Sequence, residues 1–312
     1  MSIVTASNTV SKRYDFVYLF DVRDGNPNGD PDFDNTPRFD PETFQGLVSD
    51  VCLKRKIRDY VFTVKSQNGA PQKGYDIYVL QGRSLEERQK MAYGNLAELK
   101  DKAKGKDTDP NDIEAARTWM CHNFFDVRAF GAVMNVTDFR CGQVRGPVQL
   151  TFARSFDRVL SSEHAITRVA YTKEEKKAST TASTEMGRKH TVAYGLYRAH
   201  GFINPHLASQ TGFTQEDLEI LWRALANMLG AFDASAARGL MAAQHLFVFD
   251  HASALGEAPA HKLFDLIQVK KRTDNGKDVE TPRSYEDYVV SSLEEIRSRL
   301  PSGVTVVDKM NQ

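Results

Sequence analysis

The sequence predicts an α+β fold built on a β-α-β-β-α-β core of the ferredoxin-like kind, interrupted by large insertions. Three observations predict it. An aromatic, β-branched run at 14–22 alternates with period two. Apolar residues recur at helical spacing at 41–61 and again at 214–232. Taken in order, strand 14–22, helix 41–61, strand 144–157, strand 191–203, helix 214–232 and strand 244–250 give that arrangement. It is also the order of RNA-recognition sheets, the RNA-recognition-motif core.

Residues 1–12 are polar and read as a loose arm. In Tyr14–Val22 (YDFVYLFDV), Tyr14, Phe16, Tyr18 and Phe20 share one side, with Val17 and Leu19 on the other. Both sides are apolar at the centre, which predicts a central strand. Residues 23–41 hold four Pro, two Gly and many Asp and Asn, so they form a long loop. Asp40 and Pro41 supply a helix start for Pro41–Val61. Phe44, Leu47, Val48, Val51, Ile57 and Val61 form its buried stripe, and Gln45, Ser49, Cys52 and Lys56 fall opposite.

Residues 66–125 read as an insertion with a short strand at Tyr75–Leu80 and helices at 85–103 and 111–124. A loop between these helices carries Lys100, Lys102, Lys104 and Lys106. Strand signals return at Asp126–Val136 and Val144–Val159. A polar tract at 160–190 interrupts them before Thr191–Ile203. Leu218, Leu221, Trp222, Leu225 and Leu229 mark the second core helix. Gln244–Asp250 is a strand, and a strand at 262–270, a helix at 284–299 and a strand at 303–308 decorate the C-terminal end. No internal repeat or linker divides the chain.

The 312 residues are 41% hydrophobic and 26% charged, which suffices for a sizeable core. Lys plus Arg and Asp plus Glu each number 41, so an anionic partner must be met by local clustering rather than by overall charge. Cys52, Cys121 and Cys141 form no CxxC pair, and their odd number predicts reduced thiols and a cytoplasmic setting. The N-terminus has no signal-peptide pattern, and no apolar run approaches the ~20 residues that span a bilayer.

Motifs that carry chemistry are scarce. Asp30, Asp32 and Asp34 form D-x-D-x-D, but Asn35 stands where a calcium loop needs Gly and Pro41 where it needs Glu. Solvated turn chemistry explains the run, and no metal is expected. His190, His245 and His251 read as strand-end or core residues, while His200 and His206 sit at no zinc spacing. The chain has no G-x-S-x-G elbow, Walker loop or dinucleotide fingerprint, so no catalytic residue and no cofactor is expected. The cluster Lys54, Arg55, Lys56 and Arg58 fits either a solvated helix end or a phosphate grip. The 160–190 tract carries Arg168, Lys173, Lys176, Lys177, Arg188 and Lys189, with Met186 beside Gly187 as a possible wedge against a base. It fits either a plain hairpin or an arm awaiting a partner.

The strand YDFVYLFDVRDGNPNGDP, the helix QGLVSDVCLKRKIRDY and the pair DVRAFGAVM and VRGPVQLTFARSFD resemble the CRISPR type I-C Cascade backbone subunit. This is the Csd-type member of the "Cas seven" family, within the RAMP superfamily of RNA-binding proteins, and the resemblance runs over roughly 14–250. It implies a hand-like protein. The palm would be 13–65, 126–159 and 191–312, the finger or web 66–125 and the thumb 160–190. Copies would line up along one guide RNA (crRNA), hold its backbone and leave its bases free to pair with target DNA beside other Cascade subunits. By position, Lys54 and Arg55 would hold the RNA, with Gln45 and Ser49 in support. Arg23 and Arg38 flank the loop, Arg145 lies at the thumb's base, and Arg168 and Met186 lie in the thumb. Lys102, Lys104 and Lys106 of the finger would meet target DNA. A subunit that serves any guide must avoid base edges and grip phosphate and sugar. Two other readings compete: a metal-dependent ribonuclease using Asp30, Asp32 or Asp34, and a monomeric single-strand RNA-binding module.

Overall fold

The computed structural model describes residues 8–99, 109–135, 138–168, 185–274 and 277–310. Along the chain, β1 (Tyr14–Gly25) is followed by β2 (Gln45–Val48) and α1 (Asp50–Val64). The next stretch contributes α2 (Leu85–Asn95), α3 (Pro110–Asn123), α4 (Phe125–Phe130), β3 (Gly131–Met134) and β4 (Gly142–Arg145). The chain returns through β5 (Val148–Leu150), β6 (Ala153–Arg158), β7 (Ser161–Arg168) and β8 (Glu185–Ile203). It continues with α5 (Pro205–Thr211), α6 (Gln215–Asn227) and β9 (Leu240–His251). Its last elements are α7 (Ala260–Phe264), β10 (Val269–Lys271), β11 (Tyr288–Val290), α8 (Leu293–Arg297) and β12 (Val304–Asp308).

The result is a mixed α/β protein around one eight-stranded antiparallel sheet of order β12-β9-β1-β8-β6-β2, with β5 and β7 also paired to β8. β1 is central because both its faces are apolar. Phe16, Tyr18, Phe20 and Val22 enter the main core with Leu53 and Ile57 of α1 and Leu221, Trp222 and Leu225 of α6. The Trp222 ring meets Phe16 edge-on at 5.2 Å. Each such large side chain contributes about 1.5–3 kcal/mol over its exposed state. Val17 and Leu19 of the opposite face pack with Phe247, Phe249, Leu263, Phe264 and Ile296, so the C-terminal segment covers that side. Gly201 lets β8 lie flat over the core, since a Cβ there would stand 1.9 Å from the Phe16 ring.

Several expected elements differ. Instead of one helix over 41–61, Asp40 caps a turn through Glu42 N, and Phe44 ends that turn in the left-handed region at φ 60°. Gln45–Val48 then pairs with β6 as an edge strand, and α1 starts only after Ser49, whose Oγ accepts from Cys52 N at 3.3 Å. The helical stripe therefore rotates: Val51 is 62% exposed and Lys56 is 1% exposed.

In place of the strand expected from Asp126 to Val136, the described residues form α4 before β3. The Asp126 carboxylate takes the Tyr78 and Val79 amides at 2.7 and 3.0 Å, and Gly131 at φ 80° turns the chain into β3. The 144–159 run breaks into β4, β5 and β6, and β5 pairs with the far end of β8. The described ends of the 160–190 tract extend the sheet: β7 pairs with the first part of β8 in a two-stranded arm.

At Tyr75–Leu80 there is only the isolated bridge Asp76–Phe124. The helix expected at 85–103 stops at Asn95, with a 3-10 turn at Ala97–Leu99. The segments 262–270 and 284–299 alternate short helices with β10 and β11, because β10 pairs with β11. In the N-terminal arm, Val10 is buried and its N donates to Phe213 O at 3.1 Å, so residues 9–13 are fastened to the body.

The insertion and the α4–β4 stretch share a second core, where Tyr93, Met120, Cys121 and Phe124 meet Met134 and Cys141. Two buried ion pairs tie it to the sheet domain. Arg58 of α1 reaches Asp126 at 2.8 Å, and Arg128 reaches Asp217 of α6 at 2.7 Å.

Candidate functional site

The loop after β1 closes against the 233–239 segment by close backbone approach. A Cβ at Gly25 would meet Arg238 O at 1.8 Å. Arg238 Nη1 donates to Asn26 O and Pro27 O at 2.9 and 3.1 Å. Asn28 Oδ1 in turn accepts from Ser49 N and Ser49 Oγ, both at 2.9 Å, which docks the loop on the first turn of α1. Arg38 N donates to Asn28 O at 3.1 Å, and its guanidinium reaches Asp30 at 3.0 Å. The sequence order Asn28, Arg38, Ser49 thereby becomes one surface at the N-terminal end of a helix.

Lys54 and Arg55 extend this surface. Lys54 Nζ sits 2.9 Å from Asp50 and 5.8 Å over the Phe130 ring. Arg55 bonds Asp59, one turn on, and Asp233 at 2.7 Å, yet its side chain stays 44% exposed. Lys56 reaches the same Asp233 from inside the protein, and Arg238 Nε lies 3.3 Å from it. Asp233 thus gathers three cations from two segments. At the surface Lys54, Arg55 and Arg238 face the three carboxylates Asp50, Asp59 and Asp233, while Lys56 lies buried beneath them with its ammonium pushed down to about 7 by burial, so the surface donors are already oriented. Of these pairs Arg55–Asp59 is exposed, and such a pair is worth about 0–1 kcal/mol, so an incoming phosphate can replace it.

The arm rises from the same end of the sheet. Its register runs from Ser161 opposite Val192 to Arg168 opposite Glu185, which spans about 23 Å at about 3.3 Å per residue. Met186 stands on it opposite Thr167 and is 73% exposed, and Ile166 and Leu160 are also open to solvent. His190 near its base lies 3.5 Å from Asp34, so the acidic loop leans on the arm.

Asp30, Asp32 and Asp34 make turn chemistry. Asp30 accepts from Asp32 N at 3.2 Å, and Asp34 and Asn35 are left-handed. Asp40 meets Arg154 at 2.7 Å, and that guanidinium holds its carboxyl below the usual range. Among the described residues, no three His, Cys, Asp or Glu side chains gather as metal ligands.

The structure therefore brings together Arg38, Ser49, Lys54 and Arg55, with Met186 on the neighbouring arm. It does not bring in the rest. Gln45 sits in β2, where Nε2 donates to Ser155 O at 2.8 Å and holds the edge strand. Arg23 is exposed at the end of β1, between Tyr194 and Leu240. Arg145 lines a separate cleft beside Arg117 and Thr9. The side chain of Arg168 and all of Lys102, Lys104 and Lys106 lie outside the described residues. Sequence reasoning missed Asn28, Asp233 and Arg238. The first stands in the GNPNGD turn run, while the other two are joined to α1 only by folding.

A sequence profile for "CRISPR-associated protein Cas7" matches residues 12–292. The chain belongs to the Cas7 family. A Haloferax volcanii "CRISPR-associated protein Cas7" is 30% identical over 246 residues. That match takes in 70% of this chain and 66% of the relative, just under two thirds of its length. A chain of a solved "CRISPR RNA-guided surveillance complex, pre-nicking" shares the fold with a TM-score of 0.52 at 13% identity. The likeness covers 92% of this chain and 87% of that one. Cas7, and with it the RAMP superfamily, accounts for the large antiparallel sheet. No helix among the described residues is long and apolar enough to cross a membrane.

Proposed function

We propose that this Cas7 chain is the guide-RNA-binding backbone subunit of a type I-C CRISPR surveillance complex and acts as a scaffold rather than a catalyst. Copies assemble along one crRNA, grip phosphate and sugar, and leave the bases to pair with target DNA. One observation carries the reading: Arg38, Lys54 and Arg55 share a surface with Ser49 and Asn28 at the foot of an arm that exposes Met186. Cations and pre-oriented polar groups suit phosphate and sugar, which carry no sequence information. An exposed apolar side chain on a two-stranded arm can press between bases without reading them.

The finer architecture supports the same reading. Strands β9-β1-β8-β6 with α1 after the first strand and α6 after the third follow the order of a ferredoxin-like, RNA-recognition core. In that frame the palm is 13–65, 126–159 and 191–312, the finger or web 66–125 and the thumb 160–190. A net charge of zero lets copies stack side by side without strong repulsion.

The test is light scattering of the protein on RNAs of increasing length. The number of copies bound should rise with length for any sequence. Lys54→Glu with Arg55→Glu should abolish that rise while leaving the fold intact by circular dichroism. One copy per RNA at every length would favour the monomeric module, and cleavage of the RNA with Mg²⁺ present would favour the nuclease.

A further inference from the structure

A cleft of about 610 Å³ opens between α3, β4 and the end of α5, with none of Arg38, Ser49, Lys54 or Arg55 in its lining. Arg117, His122, Gln143, Arg145 and Ser209 line it, together with Thr211. Arg145 is exposed, and Arg117 bonds Glu114 one turn back, so Arg145 brings the charge that Glu114 does not offset. Thr211 lines this cleft and is 6% exposed, and its Oγ1, buried behind the wall, has no hydrogen-bond partner. A buried hydroxyl without a partner is costly, so a small shift that lets an acceptor reach it is favoured. Val144 and Cys121 give the cleft an apolar wall.

The position of the cleft matters as much as its chemistry. It includes Thr9 and Gly212, next to where Val10 and Phe213 pair just ahead of β1, so it lies at the N-terminal end of that strand. The acidic loop follows the other end of β1, about 36 Å away at about 3.3 Å per residue. There the 3-10 turn Pro31–Phe33, followed by two left-handed residues, leaves Phe33 70% exposed between the exposed carboxylates of Asp32 and Asp34. An aromatic ring flanked by two carboxylates at one end matches a cleft of guanidinium, hydroxyl and apolar wall at the other.

We infer that the Asp32–Asp34 loop of one copy docks in the Arg145 cleft of the next, giving a head-to-tail contact between copies of this chain. The inference rests on the guide-RNA scaffold reading and names the protein contact that spaces the copies. Two different patches at opposite ends make a heterologous interface, which propagates instead of closing as a dimer. The docked Asp carboxylate meets Arg145 and takes the Thr211 hydroxyl, and Phe33 covers Val144.

The experiment uses charge reversal on the full chain, with assembly on a long RNA read by light scattering against protein concentration. Arg145→Glu alone places like charges across the contact and should raise the concentration for half-assembly about tenfold or more. Asp32→Lys with Asp34→Lys should do the same. Mixing the two variants should restore assembly, because each cleft then meets a loop of opposite sign in an alternating array. A short RNA that holds one copy should bind every variant as it binds the wild type.

If reversal leaves assembly unchanged, or the mixture stays as poor as its components, the head-to-tail contact is wrong while the guide-RNA reading stands. If Arg145→Glu weakens binding of the short RNA, the cleft holds nucleic acid and the inference is overturned. A wild-type protein that never assembles on long RNA overturns both readings.

Discussion

Replacing Arg128 by Met tests how the insertion is fixed to the sheet domain. Arg128 forks onto Asp217, with Nε to Oδ2 at 2.9 Å and Nη2 to Oδ1 at 2.7 Å. It also donates to Cys121 O at 2.8 Å and Gly74 O at 3.0 Å, and its guanidinium lies 5.7 Å over the Tyr75 ring. The side chains are 8% and 1% exposed. Arg128→Met fills much of the volume but leaves Asp217 with the Thr214 amide and hydroxyl, at 2.8 and 3.0 Å, as its donors, and strips two carbonyls. Breaking a buried pair this way costs about 3–5 kcal/mol. With a urea m-value of about 3 kcal/mol per molar, the unfolding midpoint falls by about 1 M or more. Arg128→Lys keeps the charge and loses the fork, so its loss should be intermediate. Pairing Arg128→Met with Asp217→Leu removes both buried charges, and the cycle should return a coupling above about 2 kcal/mol. A loss below about 1 kcal/mol for Arg128→Met, or a coupling near zero, would refute the clamp.

Three further outcomes are expected. His200 is held down to about 4, first by burial and then by Arg198, whose Nε donates to His200 Nε2 at 3.0 Å. The folded state therefore binds fewer protons than the unfolded one between pH 4 and the ordinary 6.5. Its contribution is complete above about 6.5 and fades as pH falls toward 4, by roughly 1–3 kcal/mol after allowing for partial solvent access. Urea midpoints at pH 7.5 and 4.5 should thus fall further for the wild type than for His200→Gln, and equal falls would contradict this. Gly201→Ala should cost about 1–3 kcal/mol because the new methyl strikes the buried Phe16 ring, and thermal unfolding checks it. Met186→Ser, on the exposed arm, should leave stability within about 0.5 kcal/mol while weakening assembly on RNA, and unchanged assembly would remove Met186 from the interface.

How legible the protein was depended on how local each cause is. The β1 alternation and the Leu218 to Leu225 stripe were plain because each element's own period fixes its buried face. The first helix was misplaced at its start because Asp40–Pro41 carries a true start signal that here serves a single turn. The left-handed Phe44 that stops it leaves no mark in composition. That shift sent Lys56 into the core, where its partner Asp233 lies 177 positions away. No local period could announce such a pair. Asp126–Val136 misled for the opposite reason: its β-like composition yields to two amides from the insertion that demand the Asp126 carboxylate. Of the site, Lys54, Arg55 and Ser49 were visible as a cluster on one segment. Arg145, expected at the thumb's base, lines a cleft with Arg117 and Thr9 instead.

The most direct measurement of the central claim is the salt dependence of single-stranded RNA binding, taken for several unrelated sequences. Each phosphate held by a cation contributes about 0.7 to the slope of log affinity against log salt on a single strand. Lys54→Gln with Arg55→Gln should lower that slope by about 1.4 and do so equally for every sequence. A slope unchanged by the double substitution, or a loss confined to one sequence, would contradict a backbone grip by this surface.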